Sequence, residues 1–221
     1  MDQMASAVGS FIAIDFKDSA NPVIEKINFD FASSGYKLCI VDTGGSHAEL
    51  TGEYASIRAE MTGVAALFGC KLLREVDEEE FNRSIPAVRA ALGDRAVLRA
   101  SHFFADCHRV EKQTEALNQG RFEDFLALVS QSGRSSFMYL QNAYVGTLPL
   151  YQGVPLALML TEKILNGRGG FRLHGGGFGG TIQAYVPQNL LEEYKTEIEK
   201  VFGTGSCYVL QVRPVGSLCL D

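Results

Sequence analysis

The pattern of apolar and polar residues at the start of the chain is typical of short β-strands. Residues 11–16 and 23–31 are rich in β-branched and aromatic residues, and the turn-forming stretch 17–22 separates them, which predicts a β-hairpin. A third apolar run, 37–42, is followed by the loop 43–46, whose glycines permit unusual backbone angles. We therefore expect a hairpin, a third strand and a loop that leads into a helix.

The middle of the chain shows the spacing of amphipathic helices. From Ala48 to Phe68 apolar residues recur at helical spacing, and Gly69 follows as a stop signal. A helical middle therefore follows the first strands. The same spacing predicts further helices over residues 77–91, 95–117, 122–140 and 155–165.

Strands return near the end of the chain. After the glycine-rich stretch 166–170, two short strands are predicted over 171–173 and 181–186, with a glycine loop between them. A helix over 189–202 and an apolar strand over 208–212 complete the pattern. This order of strands, helices and further strands predicts an α+β fold, in which helices cover an antiparallel sheet.

Composition supports a folded, soluble protein. The 221 residues are 46% hydrophobic and 21% charged, close to the averages for globular domains, and suffice for one large domain or one domain and a remnant. The net charge of −6 and the lack of a basic stripe argue against a nucleic-acid partner. Since no apolar run approaches the ~20 residues that a membrane span needs, we expect a cytoplasmic protein with no membrane partner. The pattern does not indicate an oligomeric state.

The cysteine and histidine residues give no sign of a metal centre. The five cysteines are scattered and form no C-x-x-C pair, which favours reduced thiols over disulfides or a zinc cluster. His102 and His108 have no third ligand at metal-binding spacing. We therefore predict no metal site among the residues of this chain.

The most specific local signal is the glycine-rich segment 174–180. It reads HGGGFGG, with five glycines in its last six positions, and lies between two predicted strands. A backbone without Cβ atoms can closely approach a ligand or another segment of the chain. The spacing matches neither the Walker phosphate loop nor a dinucleotide-binding fingerprint, so the residues alone leave a packing role and a ligand-binding role open.

Three motifs resemble the galactokinases, a branch of the GHMP small-molecule kinases. The segment 174–180 is similar to the third conserved motif of that family, with His174 where the family commonly has Thr. The sequence MDQ over 1–3 is similar to the M-D-Q that opens a helix in galactokinases and carries their catalytic aspartate. The sequence GEYASIR over 52–58 is similar to their E-Y-x-x-x-R, in which the tyrosine contacts the sugar.

The resemblance implies a fold and a domain division. It covers essentially the whole chain and the second half of a galactokinase, which implies a GHMP kinase C-terminal domain with a ferredoxin-like antiparallel sheet and helices over residues 35–221. Residues 1–34 would be a helix and hairpin remnant of the N-terminal kinase domain. The family's sugar-binding segment with a G-E-H-x-D type of motif and its glycine-serine loop around the ATP phosphates have no counterpart in this sequence.

The resemblance also gives roles to residues that otherwise look ordinary. Asp2 would be the catalytic carboxylate, although its position alone suggests a solvated terminal residue. Tyr54 would contact the sugar, although the helical pattern alone favours a core tyrosine. The sugar would also lie near the loop residues Asp42, Thr43 and Gly44. The phosphate side of the site would be supported by Gly175, Gly176, Gly177, Gly179 and Gly180.

The activity that the resemblance implies for the intact protein is transfer of the γ-phosphoryl group of ATP to galactose, a small-molecule sugar substrate. ATP and Mg²⁺ would be bound mostly by segments outside this sequence, so we expect this chain alone to be inactive. Two alternatives stay open: another GHMP kinase, acting on a different sugar, mevalonate or homoserine, and a non-catalytic module for sugar binding or protein interaction.

Two further expectations concern the surface near the hairpin and the glycine-rich loop. We expect an exposed apolar surface near residues 11–31, where a missing domain would continue the sheet. We also expect a larger side chain at Gly177 to damage activity more than stability, because the loop is suited to close approach.

Overall fold

The computed structural model describes residues 2–18, 20–45 and 50–217, with Asp2 described by its backbone alone. The predicted helix start at Ala48 and the loop residue Ser46 lie outside the described residues. No helix within these ranges is long and apolar enough to cross a membrane. The helices are α1 (Asp2–Val8), α2 (Thr51–Leu67), α3 (Glu78–Arg83), α4 (Ile85–Leu92), α5 (Asp94–Asn118), α6 (Phe122–Ser135), α7 (Gly153–Leu165) and α8 (Leu191–Phe202). The strands are β1 (Phe11–Asp15), β2 (Val23–Ile27), β3 (Tyr36–Asp42), β4 (Gly170–Leu173), β5 (Thr181–Pro187) and β6 (Cys207–Leu210).

Four strands form an antiparallel sheet in the order β4-β5-β3-β6. In its centre, Val41 of β3 pairs with Ile182 of β5 and with Cys207 of β6. The four strands follow one another along the chain in the β-α-β-β-α-β sequence of ferredoxin-like folds, with α2 to α7 between β3 and β4. The predicted α+β fold with a ferredoxin-like sheet is therefore confirmed.

Side chains of the central strand enter two apolar clusters on opposite faces of the sheet. Cys39 and Val41 are fully buried in the cluster that α7 and α8 complete. Leu38 packs against a second cluster, which includes Tyr185 of β5 and Phe122 of α6. Because successive side chains of a strand point to opposite faces, helices cover both sides of this sheet.

The predicted hairpin is present as a separate two-stranded sheet of β1 and β2. One end is anchored by aromatic packing, since the ring centroid of Phe11 lies 5.8 Å from that of Phe125 in α6. The other end carries the apolar exposure expected near residues 11–31, because Phe16 is 41% and Val23 68% exposed. The hairpin is thus packed against α6 at one end, and near the other end Asp15 forms an ion pair with Arg74.

A third apolar cluster holds α2, α3, α4 and α5 together. Its most buried members include Val64, Phe81, Val88 and Ala100, none more than 1% exposed. Helix α5 is 25 residues long, and Leu117 near its end belongs to the cluster that contains Tyr185 and Phe122. This long helix therefore connects the helical layer to the sheet and the hairpin.

One predicted helix is interrupted, and another changes its helical type. The one predicted over 77–91 is divided into α3 and α4 at Ser84, where Pro86 follows in the first turn of α4 and lacks the N–H that would continue the preceding helix. The one predicted over 122–140 is α-helical through α6 and then continues as a π-helical turn, Ser136–Leu140.

Candidate functional site

The glycine-rich segment forms a tight loop between β4 and β5, as predicted. The backbone N–H of His174 donates a hydrogen bond to the carbonyl oxygen of Thr181 over 2.9 Å and closes the loop at its base. The φ angles are 70° at Gly175, 83° at Gly177 and 62° at Phe178. A side chain in this left-handed region costs about 1–2 kcal/mol, so contacts around Phe178 must hold it there.

Asn142 supplies those contacts through its backbone and its side chain. Its Nδ2 donates to the carbonyl oxygen of Gly176 over 2.9 Å, and its own carbonyl oxygen accepts a hydrogen bond from the N–H of Phe178. Asn142 is only 2% exposed, and a Cβ atom at Gly177 would overlap its carbonyl oxygen. Close approach to another segment of the chain is therefore one reason for the glycines of this loop.

Tyr54 of α2 contacts the same loop, so two of the three family-like motifs meet. Its hydroxyl donates to the carbonyl oxygen of Gly177 over 2.6 Å, and its ring packs edge-on against Phe178 with centroids 5.3 Å apart. A Cβ atom at Gly176 would lie 2.6 Å from Cε1 of the ring. Burial raises the pKa of the Tyr54 hydroxyl, which keeps it a neutral hydrogen-bonding group.

The predicted sugar loop after β3 meets the other end of the glycine loop. The backbone N–H and the hydroxyl of Thr43 both donate to the carbonyl oxygen of Gly180, over 2.9 and 2.7 Å. The N–H of Gly44 donates to Oδ1 of Asp42 over 2.9 Å, and Asp42 is exposed. The Asp42–Gly44 stretch and Tyr54 therefore both contact the glycine loop, the stretch at Gly180 and Tyr54 at Gly177.

A buried arginine fixes the position of α2 relative to the loop. Arg99 of α5 is 1% exposed and donates to Ser56 Oγ over 3.0 Å and to Glu60 Oε2 over 2.9 Å, both on α2. It also donates to the carbonyl oxygen of Leu140, two residues before Asn142, over 3.1 Å. Tyr54 and Asn142 both contact the loop. Arg99 therefore fixes α2, which carries Tyr54, relative to the segment that carries Asn142.

A cleft of about 1470 Å³ opens beside this assembly, between the hairpin, α2 and α5. Tyr54, Asn142, Gly175 and Gly176 line the part of the cleft beside the glycine loop. Ligand pockets commonly measure about 300–1,000 Å³, so a sugar fits with room to spare. The tyrosine and glycine motifs therefore face a space that is large enough for a substrate.

Helix α1 is held at the C-terminal end of the chain. The N–H of Ser10 donates to the carbonyl oxygen of Arg213 over 2.6 Å, and the N–H of Ser217 donates to that of Ala7 over 3.2 Å. Asp2 lies in the first turn of α1, but its side chain lies outside the described residues. Its catalytic role therefore stays a prediction.

The described residues form no cluster of metal ligands. Within the ranges 2–18, 20–45 and 50–217, no group of three or more His, Cys, Asp or Glu side chains is arranged to hold a metal ion. Since Mg²⁺ is usually bound by one or two carboxylates together with substrate phosphates, a magnesium ion that enters with ATP needs no such cluster.

Galactokinases are the relatives that this chain resembles in sequence, although no model of a known protein family matches it. The galactokinase of Glaesserella parasuis serovar 5 is 31% identical over 198 residues, which are 87% of this chain and 47% of that protein. The galactokinase of Mannheimia succiniciproducens is 31% identical over 201 residues, 88% of this chain and 48% of that protein. The chain thus spans about half the length of the curated relatives it matches.

Solved structures with the same fold include two small-molecule kinases. The crystal structure of Lactococcus lactis galactokinase complexed with galactose matches 97% of this chain and 53% of its own with a TM-score of 0.69 at 22% identity. The structure of L. major mevalonate kinase in complex with R-mevalonate matches 93% of this chain and 50% of its own with a TM-score of 0.52 at 14% identity. Both show the fold that the motifs implied.

Proposed function

This chain is a homologue of the galactokinases that corresponds to about half of their length, and from this premise we propose that its parent protein transfers the γ-phosphoryl group of ATP to the anomeric hydroxyl of galactose. The chain would supply the C-terminal half of the site. The alternative of another GHMP kinase shares the fold with mevalonate kinase, and the Glu53-Tyr54 motif favours galactose over it.

The observation that carries the proposal is the 2.6 Å hydrogen bond from the Tyr54 hydroxyl to the glycine loop at Gly177. It joins two motifs that lie 123 residues apart in the sequence, beside a cleft that can hold a sugar. A tyrosine hydroxyl can both donate and accept hydrogen bonds, which is the chemistry that a sugar contact needs. This contact supports the proposal that the two galactokinase-like motifs belong to one site.

Each group of the chain has a distinct task in the proposed reaction. The Asp2 carboxylate accepts the proton of the sugar hydroxyl or stabilises the charge around it. Tyr54 and the Thr43–Gly44 backbone orient the sugar, and the glycine loop shapes the phosphate side without Cβ atoms in the way. ATP with Mg²⁺ supplies the phosphoryl group and neutralises its charge when bound, mainly by segments outside this sequence.

Replacing Tyr54 by Phe separates the sugar contact from the structural contact. Since one hydrogen bond is worth about 0.5–1.5 kcal/mol, we expect the free energy of unfolding of this chain to fall by that amount. In the protein expressed from the full reading frame of its gene, the KM for galactose should rise about 2- to 12-fold for the same energy, with the KM for ATP unchanged.

Tyr151→Phe is the matched control, because Tyr151 is 76% exposed and its hydroxyl makes no hydrogen bond within the described ranges. Urea unfolding followed by circular dichroism measures the stability, and steady-state kinetics measures both KM values. If Tyr54→Phe lowers stability but leaves the KM for galactose unchanged, Tyr54 is a structural tyrosine and not a sugar contact.

The proposed function itself is tested by a coupled assay of ADP formation. We expect the protein from the full reading frame to phosphorylate galactose in preference to mevalonate and homoserine, and the 221-residue chain alone to give no turnover because groups that neutralise phosphate charge are missing from it. Turnover with mevalonate or homoserine instead would favour the other GHMP activities. Saturable galactose binding without turnover in the full-length protein would favour a sugar-binding module.

A further inference from the structure

Arg99 of α5 is a buried arginine that faces two segments of the chain with two different nitrogen atoms. Its Nε donates to the carbonyl oxygen of Leu140, the last residue of the π-helical turn, over 3.1 Å. Its Nη1 donates to two side chains of α2, to Ser56 Oγ over 3.0 Å and to Glu60 Oε2 over 2.9 Å. One planar group therefore sets the distance between α2 and the end of the π-helical turn.

The contact with Leu140 gives a partner to a carbonyl group at a helix end. The last carbonyl groups of a helix have no acceptor role within that helix. After Leu140 the chain passes through Gln141, whose φ and ψ angles of 56° and 48° are left-handed, and Asn142 follows with its hydrogen bond to Gly176. Arg99 thus holds the chain at the point from which it turns toward the glycine loop.

The contacts with α2 lead to Tyr54. Ser56 accepts the hydrogen bond from Arg99 and donates through its own Oγ to the carbonyl oxygen of Glu53 over 2.7 Å. Glu53 directly precedes Tyr54, whose hydroxyl donates to the carbonyl oxygen of Gly177 over 2.6 Å. Since a hydrogen bond weakens steeply when its angle departs from linearity, a displacement of this turn of α2 would weaken the contact of Tyr54 with the loop.

Stability alone does not account for a charged side chain in this place. Glu60 neutralises Arg99 and also accepts a hydrogen bond from Arg95 Nε over 2.8 Å. Because both ions lose water on burial, a buried ion pair often stabilises a fold no more than well-packed apolar residues do. A guanidinium group does present its donors in a fixed planar fork. This comparison favours a geometric role for Arg99.

We propose that Arg99 is a positioning residue for the sugar side of the site, where it sets the place of the Tyr54 hydroxyl relative to the glycine loop. The inference rests on the proposed function, because the sugar contact of Tyr54 belongs to that function. The loop has supports of its own in Asn142 and in the bond from the N–H of His174 to the carbonyl oxygen of Thr181. Loss of Arg99 therefore displaces Tyr54 more than it displaces the loop.

A double-mutant cycle in the 221-residue chain tests the positioning without any substrate. Arg99→Lys keeps the charge beside Glu60, but it has one nitrogen in place of the two that face Leu140 and α2. We expect Tyr54→Phe to lower the urea midpoint of the otherwise wild-type chain and to leave that of Arg99→Lys nearly unchanged, because the effects of coupled residues do not add. Equal lowering in the two backgrounds overturns the proposal.

Ser56→Ala gives a second cycle that decides the question even if Arg99→Lys does not fold. It removes the hydroxyl that links Arg99 to the turn of Tyr54 and keeps the ion pair with Glu60. The matched control is Ser101→Ala, since Ser101 is also partly buried but bonds to a carbonyl oxygen of its own helix. Tyr54→Phe should lower the urea midpoint less in the Ser56→Ala background than in the Ser101→Ala background. The same lowering in both contradicts the proposal.

Steady-state kinetics of the protein from the full reading frame measures the consequence for the sugar. Arg99→Lys should raise the KM for galactose by the same factor as Tyr54→Phe, about 2- to 12-fold, and leave the KM for ATP unchanged. Combining the two changes should give no further rise. Arg95→Gln is the control, because Arg95 also pairs with Glu60 but is 48% exposed; it should leave both KM values unchanged.

The kinetic outcomes separate a positioning role of Arg99 from a structural one. Partial unfolding of Arg99→Lys lowers the concentration of active enzyme, and therefore the apparent kcat, without a change in either KM. That result overturns the proposal. Absence of galactose turnover by the wild-type protein is a failure of the proposed function, whereas the unfolding cycles still decide whether Arg99 positions Tyr54.

Discussion

Gly177→Ala is expected to destabilise the chain by about 2–5 kcal/mol, whereas Gly175→Ala should cost only about 1–2 kcal/mol. Both glycines have positive φ angles, 83° and 70°, so both variants carry the ~1–2 kcal/mol of a left-handed alanine. The two variants differ in the room around the added Cβ atom. At Gly175 this atom meets nothing within 4 Å, whereas at Gly177 it overlaps the carbonyl oxygen of Asn142 and lies 2.7 Å from its Nδ2. Overpacking of this kind costs ~1–3 kcal/mol more.

Urea unfolding of the two variants and the wild-type chain measures this difference directly, because the shared backbone strain cancels. The expectation from the sequence, that a larger residue at Gly177 damages activity more than stability, stays a prediction, and this measurement gives the stability side of it. The buried Asn142 beside Gly177 gives a reason for a large loss of stability. Equal destabilisation of the two variants would mean that the loop moves away from Asn142 at little cost.

Local signals in the sequence were sufficient for the fold. Alternation and β-branched residues gave strands near those observed, and a seven-residue glycine-rich segment between two of them gave the loop. These signals depend on neighbouring residues alone, which is why they can be read without a structure. The helix break at Ser84 was missed, because the apolar spacing continues through it. The helix predicted over 122–140 is continuous, but its change from α- to π-helical geometry after α6 leaves no mark in the apolar spacing.

The support of the loop could not be predicted, because it depends on contacts between distant residues. Asn142 binds Gly176 across 34 positions, and Arg99 binds Leu140 across 41. Nothing in the LQNAY sequence around Asn142 distinguishes it from an ordinary loop asparagine. Only the packing of α5 against α2 and the π-helical turn brings these polar groups to a buried place, where each must find a partner.

The motifs that contain Asp2 and Tyr54 differ in how many contacts with distant residues support them. Tyr54 acquires an independent structural context, since its hydroxyl and ring both meet the glycine loop. Asp2 acquires only a backbone position, in a short helix held by contacts near Arg213 and Ser217. Its assignment rests on the resemblance alone, so a direct kinetic test discriminates most between a catalytic residue and a solvated terminal one.

Asp2→Asn in the protein expressed from the full reading frame should lower kcat for galactose by at least ~100-fold, since general-base assistance contributes about 10²–10⁴-fold. Asparagine keeps the shape and hydrogen-bonding capacity of the side chain but removes its charge and basicity, so the affinity for galactose should stay nearly unchanged. Asp124→Asn is the control, because that carboxylate is 56% exposed and pairs with Arg121 on the surface, where such pairs contribute little. A fall in kcat of less than tenfold, measured on a variant with wild-type unfolding behaviour, would refute a catalytic role for Asp2.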